Sequence, residues 1–202
     1  YNGECYNYRE LGAELAALGY RFQTRSDTEV VLAAWETWGE DCVHRLQGMF
    51  AFGIWDRKRQ TMFLARDHVG VKPMFYSLLP DGFFLFGSEL KSIMASPALS
   101  RKLNVQAVED FFAYGYVPEP KTIFHNAYKL SPGHTITLKV GDTEVKPVRY
   151  WDVPFQPGPQ RSERDIEQEL VERLRASVRS QMVSEVPLGA FLSGGVDSSA
   201  VV

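Results

Sequence analysis

The chain has 202 residues, 45% of them hydrophobic and 23% charged, with a formal net charge of −3. These are the proportions of an ordinary globular chain of one large or two small domains. They exclude the clustered basic footprint of a nucleic-acid binder, and no apolar run approaches the roughly 18–20 residues that span a bilayer. With only Cys5 and Cys42, a disulfide framework and a CxxC-type metal site are also excluded, which fits a reducing, cytoplasmic setting.

In chain order, Asn7 is placed to cap a helix, with Glu10 three residues on as capping-box partner. Leu11, Leu15 and Leu18 line one face of that helix, and Gly19 supplies its stop. Ser26 and Glu29 predict a second capping box. Val30, Val31, Ala34, Trp35 and Trp38 follow at helical spacing before Gly39. The pattern then changes to strands. Met49 to Trp55 and Thr61 to Ala65 read as a hairpin whose tip holds Arg57-Lys58-Arg59. Met74 to Leu79 and Phe83 to Phe86 flank the strong turn signal Asp81-Gly82. Several of these strands are apolar on both faces, as in a sheet covered on both sides. Ser88 to Ala95 is predicted helical, and Asn104 caps a helix running to Ala113. His134 to Val140 and Val145 to Tyr150 form a third hairpin around Gly141-Asp142.

Composition shifts at Pro154 to Ser162, a proline-rich stretch read as a linker. Ser162 opens a long helix with Ile166, Leu170, Leu174 and Val178 at four-residue steps. Pro187 ends that region, and Leu188 to Leu192 is an apolar run suited to a buried parallel strand. The chain opens at Tyr1 without an initiator Met and stops at Val202 inside an apolar run. Both ends are therefore expected to be internal to a longer protein.

Phe191-Leu192-Ser193-Gly194-Gly195-Val196-Asp197-Ser198-Ser199 is an apolar run, a glycine pair, a hydroxyl cluster and a helix start. Two glycines let several N–H groups converge on one point, and a helix N-terminus adds its free amides. Ser193, Ser198 and Ser199 can donate to phosphate oxygens. Asp197 carries the wrong charge to meet a phosphate directly, so it implies an intervening magnesium ion. The absence of Gly-Lys-Ser/Thr excludes a Walker A loop. A plain turn of small residues is the alternative for a bare Gly-Gly. The full string, SGGVDSS, resembles the pyrophosphate loop of the N-type ATP pyrophosphatases. Val186 to Leu192 before it is similar to the asparagine synthetase version of that loop. The resemblance implies ATP and Mg2+ as cofactors, with Leu192, Ser193, Gly194, Gly195, Asp197, Ser198 and Ser199 on the nucleotide and Asp197 on the metal.

Near the other end, Tyr1-Asn2-Gly3-Glu4-Cys5-Tyr6-Asn7-Tyr8 resembles the NGEIYNY motif of class II glutamine amidotransferases. An asparagine amide and an unhindered glycine N–H are two donors of the kind a tetrahedral oxyanion needs. Asn-Gly is also a common hairpin turn. Ser26 to Glu29 resembles the family's SDTE, in which the aspartate, here Asp27, binds the α-ammonium of glutamine. A first-turn aspartate also steadies a helix, and the two roles are compatible. Gly48 to Phe52, Arg66 to Pro73, Gly87 to Lys91, Leu130 to His134 and Tyr150-Trp151 resemble further family segments, in the same order. The resemblance implies oxyanion-hole roles for Asn2 and Gly3, and glutamine binding by Asn2, Gly3, Glu4 and Asp27. The family's nucleophilic N-terminal cysteine and its carboxylate-binding arginine match no residue of this chain. Cys5 stands where the family has an apolar residue and is expected in the core with Cys42. His44, His68, His125 and His134 are scattered and read as surface or turn residues.

The fold class expected is α+β. Residues 1–152 would form an αββα sandwich of the N-terminal-nucleophile hydrolase type, residues 153–161 a linker, and residues 162–202 the start of a parallel α/β ATP-pyrophosphatase domain. The implied activity is that of a glutamine-hydrolysing asparagine synthetase. Glutamine would supply ammonia to an ATP-activated aspartate, giving asparagine, AMP and pyrophosphate. Two alternatives stand beside it: a relative with another carboxylate acceptor, such as the exosortase-associated amidotransferases, and a non-catalytic binding module. The expected partners are these small molecules, with neither nucleic acid nor membrane; a homodimer is left open.

Overall fold

The computed structural model describes residues 1–156, 158–184 and 186–202, so Pro157 of the expected linker lies outside the described residues. The chain divides into two compact units, Tyr1–Asp152 and Val153–Val202.

The first unit is built on a five-stranded antiparallel sheet. Its strands, in spatial order, are β1 (Asn2–Cys5), β2 (Gly48–Asp56), β3 (Thr61–Arg66), β7 (His134–Lys139) and β8 (Val148–Arg149). A second sheet holds β5 (Phe84–Gly87), β4 (Phe75–Leu78) and β6 (Tyr128–Lys129) in that order. The period of two along a strand sends alternate side chains to opposite faces, and here both faces are apolar. Phe50, Phe52, Ile54, Phe63 and Ala65 face helices α1 (Tyr8–Ala17) and α2 (Asp27–Trp38), packing on Leu11, Leu15, Val30, Val31 and Trp35. Ala51, Leu64, Ile136 and Leu138 face the other way and meet Met74, Tyr76 and Leu130 of the second sheet's layer. That sheet's outer side packs Leu79, Leu85 and Ala127 on Ile93 of α3 (Leu90–Met94) and on Leu99. Helix α4 (Val105–Tyr114) follows, its Asn104 cap accepting the Ala107 N–H at 3.4 Å. The layers run helix, sheet, sheet, helix: the αββα sandwich that the family resemblance implies, with the sheet covered on both faces as the two-faced strands predict.

Several local expectations need correction. Asn7 precedes α1 but makes no side-chain cap. Its amide instead bonds the loop before β2, accepting from Gln47 N at 2.9 Å and donating to Arg45 O at 2.9 Å, so tertiary partners displace the local one. Leu18 lies past the helix end and is exposed, leaving Leu11 and Leu15 as the buried face. Ser26 does cap α2 through Thr28 N at 3.2 Å. Glu29, however, turns to the preceding loop and accepts from Gln23 N, Thr24 N and the Thr24 hydroxyl. The third hairpin is shorter than expected, with only Val148–Arg149 paired. Two strands, β1 (Asn2–Cys5) and β6 (Tyr128–Lys129), are not expected from the sequence pattern.

In the second unit, Ser162 caps α5 (Glu163–Gln181) by accepting Asp165 N at 3.2 Å. Helix α6 (Val196–Val201) follows the glycine-serine loop. Leu188 to Leu192 is not a strand, and Leu188, Phe191 and Leu192 are exposed. A parallel strand exists only through neighbouring strands, and the described residues of this unit contain none. The expected apolar stripe of α5 is likewise exposed at Ile166 and Leu170.

Candidate active site

Strand β1 is the edge of the five-stranded sheet, and its register sorts the candidate groups by direction. Tyr6 N–H bonds Gln47 O at 2.7 Å, and the pairing continues as Glu4↔Met49, Gly3↔Phe50 and Asn2↔Ala51. In an antiparallel ladder, hydrogen-bonded pairs alternate with pairs whose N–H groups point away. Glu4 and Asn2 therefore bond β2 through their backbones, while the N–H groups of Gly3 and Cys5 face the open edge. The Cys5 N–H shows this directly, because it donates outward to Asp27 Oδ2 at 3.0 Å. The Gly3 N–H lies two residues along the same edge.

Gly3 is required by more than its N–H. At φ +148, a Cβ there would stand 2.1 Å from the Met49 carbonyl oxygen and 2.7 Å from Phe50 Cα. The side-chain direction of Asn2 also follows from register. Its partner Ala51 belongs to the layer between the sheets, so Asn2 points into that layer. There its Nδ2 donates to Ser88 Oγ at 3.3 Å, joining β1 to the segment between β5 and α3.

Asp27, the first residue of α2, is half-buried. Its Oδ2 accepts the Tyr1 hydroxyl at 2.8 Å and the Cys5 amide at 3.0 Å. Burial, and then the adjacent Asp27 carboxylate, push the Tyr1 phenol far above its ordinary value, so it remains a donor. The site thus has one carboxylate, one directed carboxamide and one outward backbone N–H, all at the β1 edge. Glu4 is exposed on the same strand.

The floor behind β1 is fixed by Arg66 and Asp67, whose structural part sequence reading did not assign. Asp67 is almost fully buried, and its carboxylate accepts the N–H groups of Phe50 at 3.2 Å, Val71 at 2.9 Å and Lys72 at 2.9 Å. Arg66 donates to the carbonyls of Lys72, Gly70 and Leu130 and to Glu119. Together they hold the loop from Asp67 to Pro73 against the middle of β2. His68 lies in the turn after β3, half-buried and edge-on to Tyr150 and Trp151; burial pushes its pKa down. Cys5 and Cys42 are buried, and burial raises each thiol to about 12. Buried and held as thiols, both have the surroundings of structural and not of reactive cysteines.

The second candidate lies in the other unit. Gly194 takes φ +79 with open space on its Cβ side, a turn a larger residue adopts only with strain. The Ser193 and Ser198 hydroxyls meet at 2.8 Å, and Ser198 also donates to Gly195 O at 3.1 Å. Gly195 holds the N-cap position of α6 without a side-chain cap, so Asp197 falls in the first turn. Every residue from Leu192 to Ser199 is exposed apart from Ser198, which is half-buried. The described residues contain no cluster of three His, Cys, Asp or Glu able to hold a metal by themselves.

A four-layer αββα core with a hydrogen-bonding edge strand is the architecture of the N-terminal-nucleophile glutamine amidotransferases, and comparison with known proteins agrees. The family described as "Glutamine amidotransferase domain" matches residues 1–151, and the description "Asparagine synthase" matches residues 169–202. The chain belongs to the glutamine amidotransferase domain family. It is 40% identical over its whole length to "Asparagine synthetase [glutamine-hydrolyzing] 3" of Bacillus subtilis, covering 32% of that protein. It is also 40% identical to "Putative asparagine synthetase [glutamine-hydrolyzing] 2" of Methanocaldococcus jannaschii, covering 39%. The chain thus spans about a third of the length of the curated relatives it matches. A solved structure of the allosteric regulatory enzyme of purine biosynthesis has the same fold over 74% of this chain and 27% of its own, with TM-score 0.50 and 22% identity.

Proposed function

We propose that the chain is the glutaminase portion, with the first segment of the synthetase portion, of a glutamine-hydrolysing asparagine synthetase. In this reading residues 1–152 are the glutaminase domain, 153–161 the linker, and 162–202 the beginning of the ATP-pyrophosphatase domain. The observation that carries it is the β1 edge, where Asn2, Gly3 and Asp27 offer three groups suited to one amino-acid amide. The Gly3 N–H and the Asn2 Nδ2 stabilise the oxyanion formed when a nucleophile attacks the side-chain amide of glutamine. Asp27 holds the α-ammonium, and Glu4 lines the same end. The nucleophile would be the family's N-terminal cysteine, which matches no residue of Tyr1–Val202; Cys5 and Cys42 are both buried in the core.

The loop from Leu192 to Ser199 suits a pyrophosphate: Gly194 is open and the Ser193 and Ser198 hydroxyls meet. ATP, when bound, supplies activation of the aspartate carboxylate. Ser193, Ser198 and Ser199 would hold its phosphates with the amides of Gly194 and Gly195, and Leu192 would border the nucleotide. Asp197 would contribute one carboxylate to Mg2+, an ion that commonly takes one or two protein carboxylates and fills its shell with phosphate and water oxygens.

The test is Asn2→Ala in the full-length protein. Glutamine-dependent asparagine formation falls roughly a hundredfold, the usual value of one oxyanion donor, while formation from free ammonia persists. Equal loss with both nitrogen sources would overturn the assignment.

A further inference from the structure

The Asn2 carboxamide has two ends of similar shape and opposite polarity. Presented with Nδ2 forward it stabilises an oxyanion; presented with Oδ1 forward it repels one. Its use as a donor therefore depends on what holds it in place. We infer that Ser88 is a positioning residue for the oxyanion hole: its hydroxyl accepts one N–H of Asn2 Nδ2 at 3.3 Å and leaves the other N–H for the reacting oxygen. This rests on the proposed glutaminase role of Asn2.

Three features of the fold support it. Register sends Asn2 into the layer between the sheets, so its environment comes from the second sheet and not from β1 itself. Ser88 directly follows the last residue of β5, which pairs Gly87 with Phe75, and lies two residues before α3. It is therefore held from both sides rather than placed on a free loop. Gly53 on β2 also permits the sheets to close here: a Cβ at that position would come within 2.9 Å of the Phe86 ring. The contact bridges 86 residues of sequence, so it forms only when both sheets are packed.

The experiment measures glutaminase kcat and KM in the full-length protein for Asn2→Ala, Ser88→Ala, Ser88→Thr and the Asn2→Ala/Ser88→Ala double variant. Ser88→Ala is expected to lower kcat about five- to tenfold, the rate equivalent of one neutral hydrogen bond. KM for glutamine and ammonia-dependent synthesis stay near wild type, and Ser88→Thr restores kcat by keeping the hydroxyl. The double variant is no slower than Asn2→Ala alone, because Ser88 acts only through Asn2. If Asn2→Ala lowers kcat but Ser88→Ala does not, or if the two losses multiply, the positioning role is overturned and the glutaminase reading stands. If Asn2→Ala itself leaves kcat unchanged, the reading falls and this role with it. Parallel loss of ammonia-dependent synthesis in Ser88→Ala would show a merely structural contact and also overturn the inference.

Discussion

Asp27 and Cys5 are joined by a hydrogen bond from the Cys5 backbone N–H to Asp27 Oδ2 at 3.0 Å. It ties the first turn of α2 to the outer edge of β1, so one carboxylate both shapes the site and supplies it with negative charge. The two duties are separable. An asparagine at position 27 keeps an acceptor oxygen for the Cys5 amide and loses the charge that attracts an ammonium. Asp27→Asn should therefore raise KM for glutamine roughly ten- to a hundredfold, the range of one charged hydrogen bond, with kcat little changed because the contact is remote from the reacting amide. Asp27→Ala should give the same kinetic defect and in addition lower the melting temperature, since it strands the Cys5 N–H. Steady-state kinetics beside a thermal melt distinguish the two variants. Equal KM for wild type and Asp27→Asn would remove Asp27 from the glutamine site.

Gly3→Ala should act through the backbone. The added methyl would lie 2.1 Å from the Met49 carbonyl, which belongs to β2 and cannot rotate away. Strand β1 must lift from β2, at a cost of about 1–3 kcal/mol typical of overpacking. Denaturant titration reads that loss. Amide hydrogen exchange should show it concentrated at Asn2 and Glu4, whose N–H groups bond β2, with the centre of β3 still protected. Wild-type stability in Gly3→Ala would mean that β1 is not packed as described.

The buried thiols make a pH prediction. Cys5 and Cys42 are pushed up to about 12 from an ordinary 9.0, chiefly by burial. Between those values the unfolded chain releases both protons while the folded chain keeps them. Unfolding is then favoured as pH rises, so stability present below pH 9 is progressively lost between pH 9 and 12. The urea midpoint should fall across that window, and Cys5→Ala with Cys42→Ala should flatten the decline. A thiol-reactive disulfide reagent at pH 8 should label neither cysteine until urea is added; rapid native labelling would contradict their burial.

That the sheet is covered on both faces was legible because it depends on periodicity, whereas the αββα layering followed from the family resemblance. Met49 to Trp55 and Thr61 to Ala65 are apolar at odd and even positions alike, and the structure covers both faces of those strands. What stayed hidden depends on partners far along the chain. Asn7 reads as a helix cap, yet Gln47 and Arg45 claim its amide. Ser88 reads as part of a family-like segment and as the start of a helix, which begins instead at Leu90; its contact with Asn2 exists only after two sheets pack. Arg66 and Asp67 read as part of a family-like segment, but their part in holding the Asp67 to Pro73 loop requires a carboxylate buried among backbone N–H groups, which no local pattern announces. Leu188 to Leu192 fails for the converse reason. Its composition suits a parallel strand, but strand pairing is a property of neighbours.

Asp197→Asn is the sharpest test of the proposed synthetase segment. Gly195, not Asp197, occupies the N-cap of α6, and Asp197 stands in the first turn with its side chain exposed. Its structural contribution is therefore limited to the favourable meeting of a negative charge with a helix N-terminus, about 0.3–1 kcal/mol at an exposed site. Losing that would leave the fold intact and the loop from Ser193 to Ser199 in place. The proposed functional contribution is much larger. ATP brings several negative charges to a loop whose other donors are neutral amides and hydroxyls. A carboxylate anchors the neutralising magnesium far better than a carboxamide does. In the full-length protein, Asp197→Asn should then abolish pyrophosphate release with either glutamine or ammonia as nitrogen source, while glutaminase activity and the melting temperature stay near wild type. Gly194→Val should match it by another route, because a β-branched residue is strained at φ +79 and would distort the turn. Pyrophosphate release measured with ammonia bypasses the glutaminase site and isolates the effect. Near-normal release from Asp197→Asn would leave the residue with its small helix-end role alone and would remove the metal assignment.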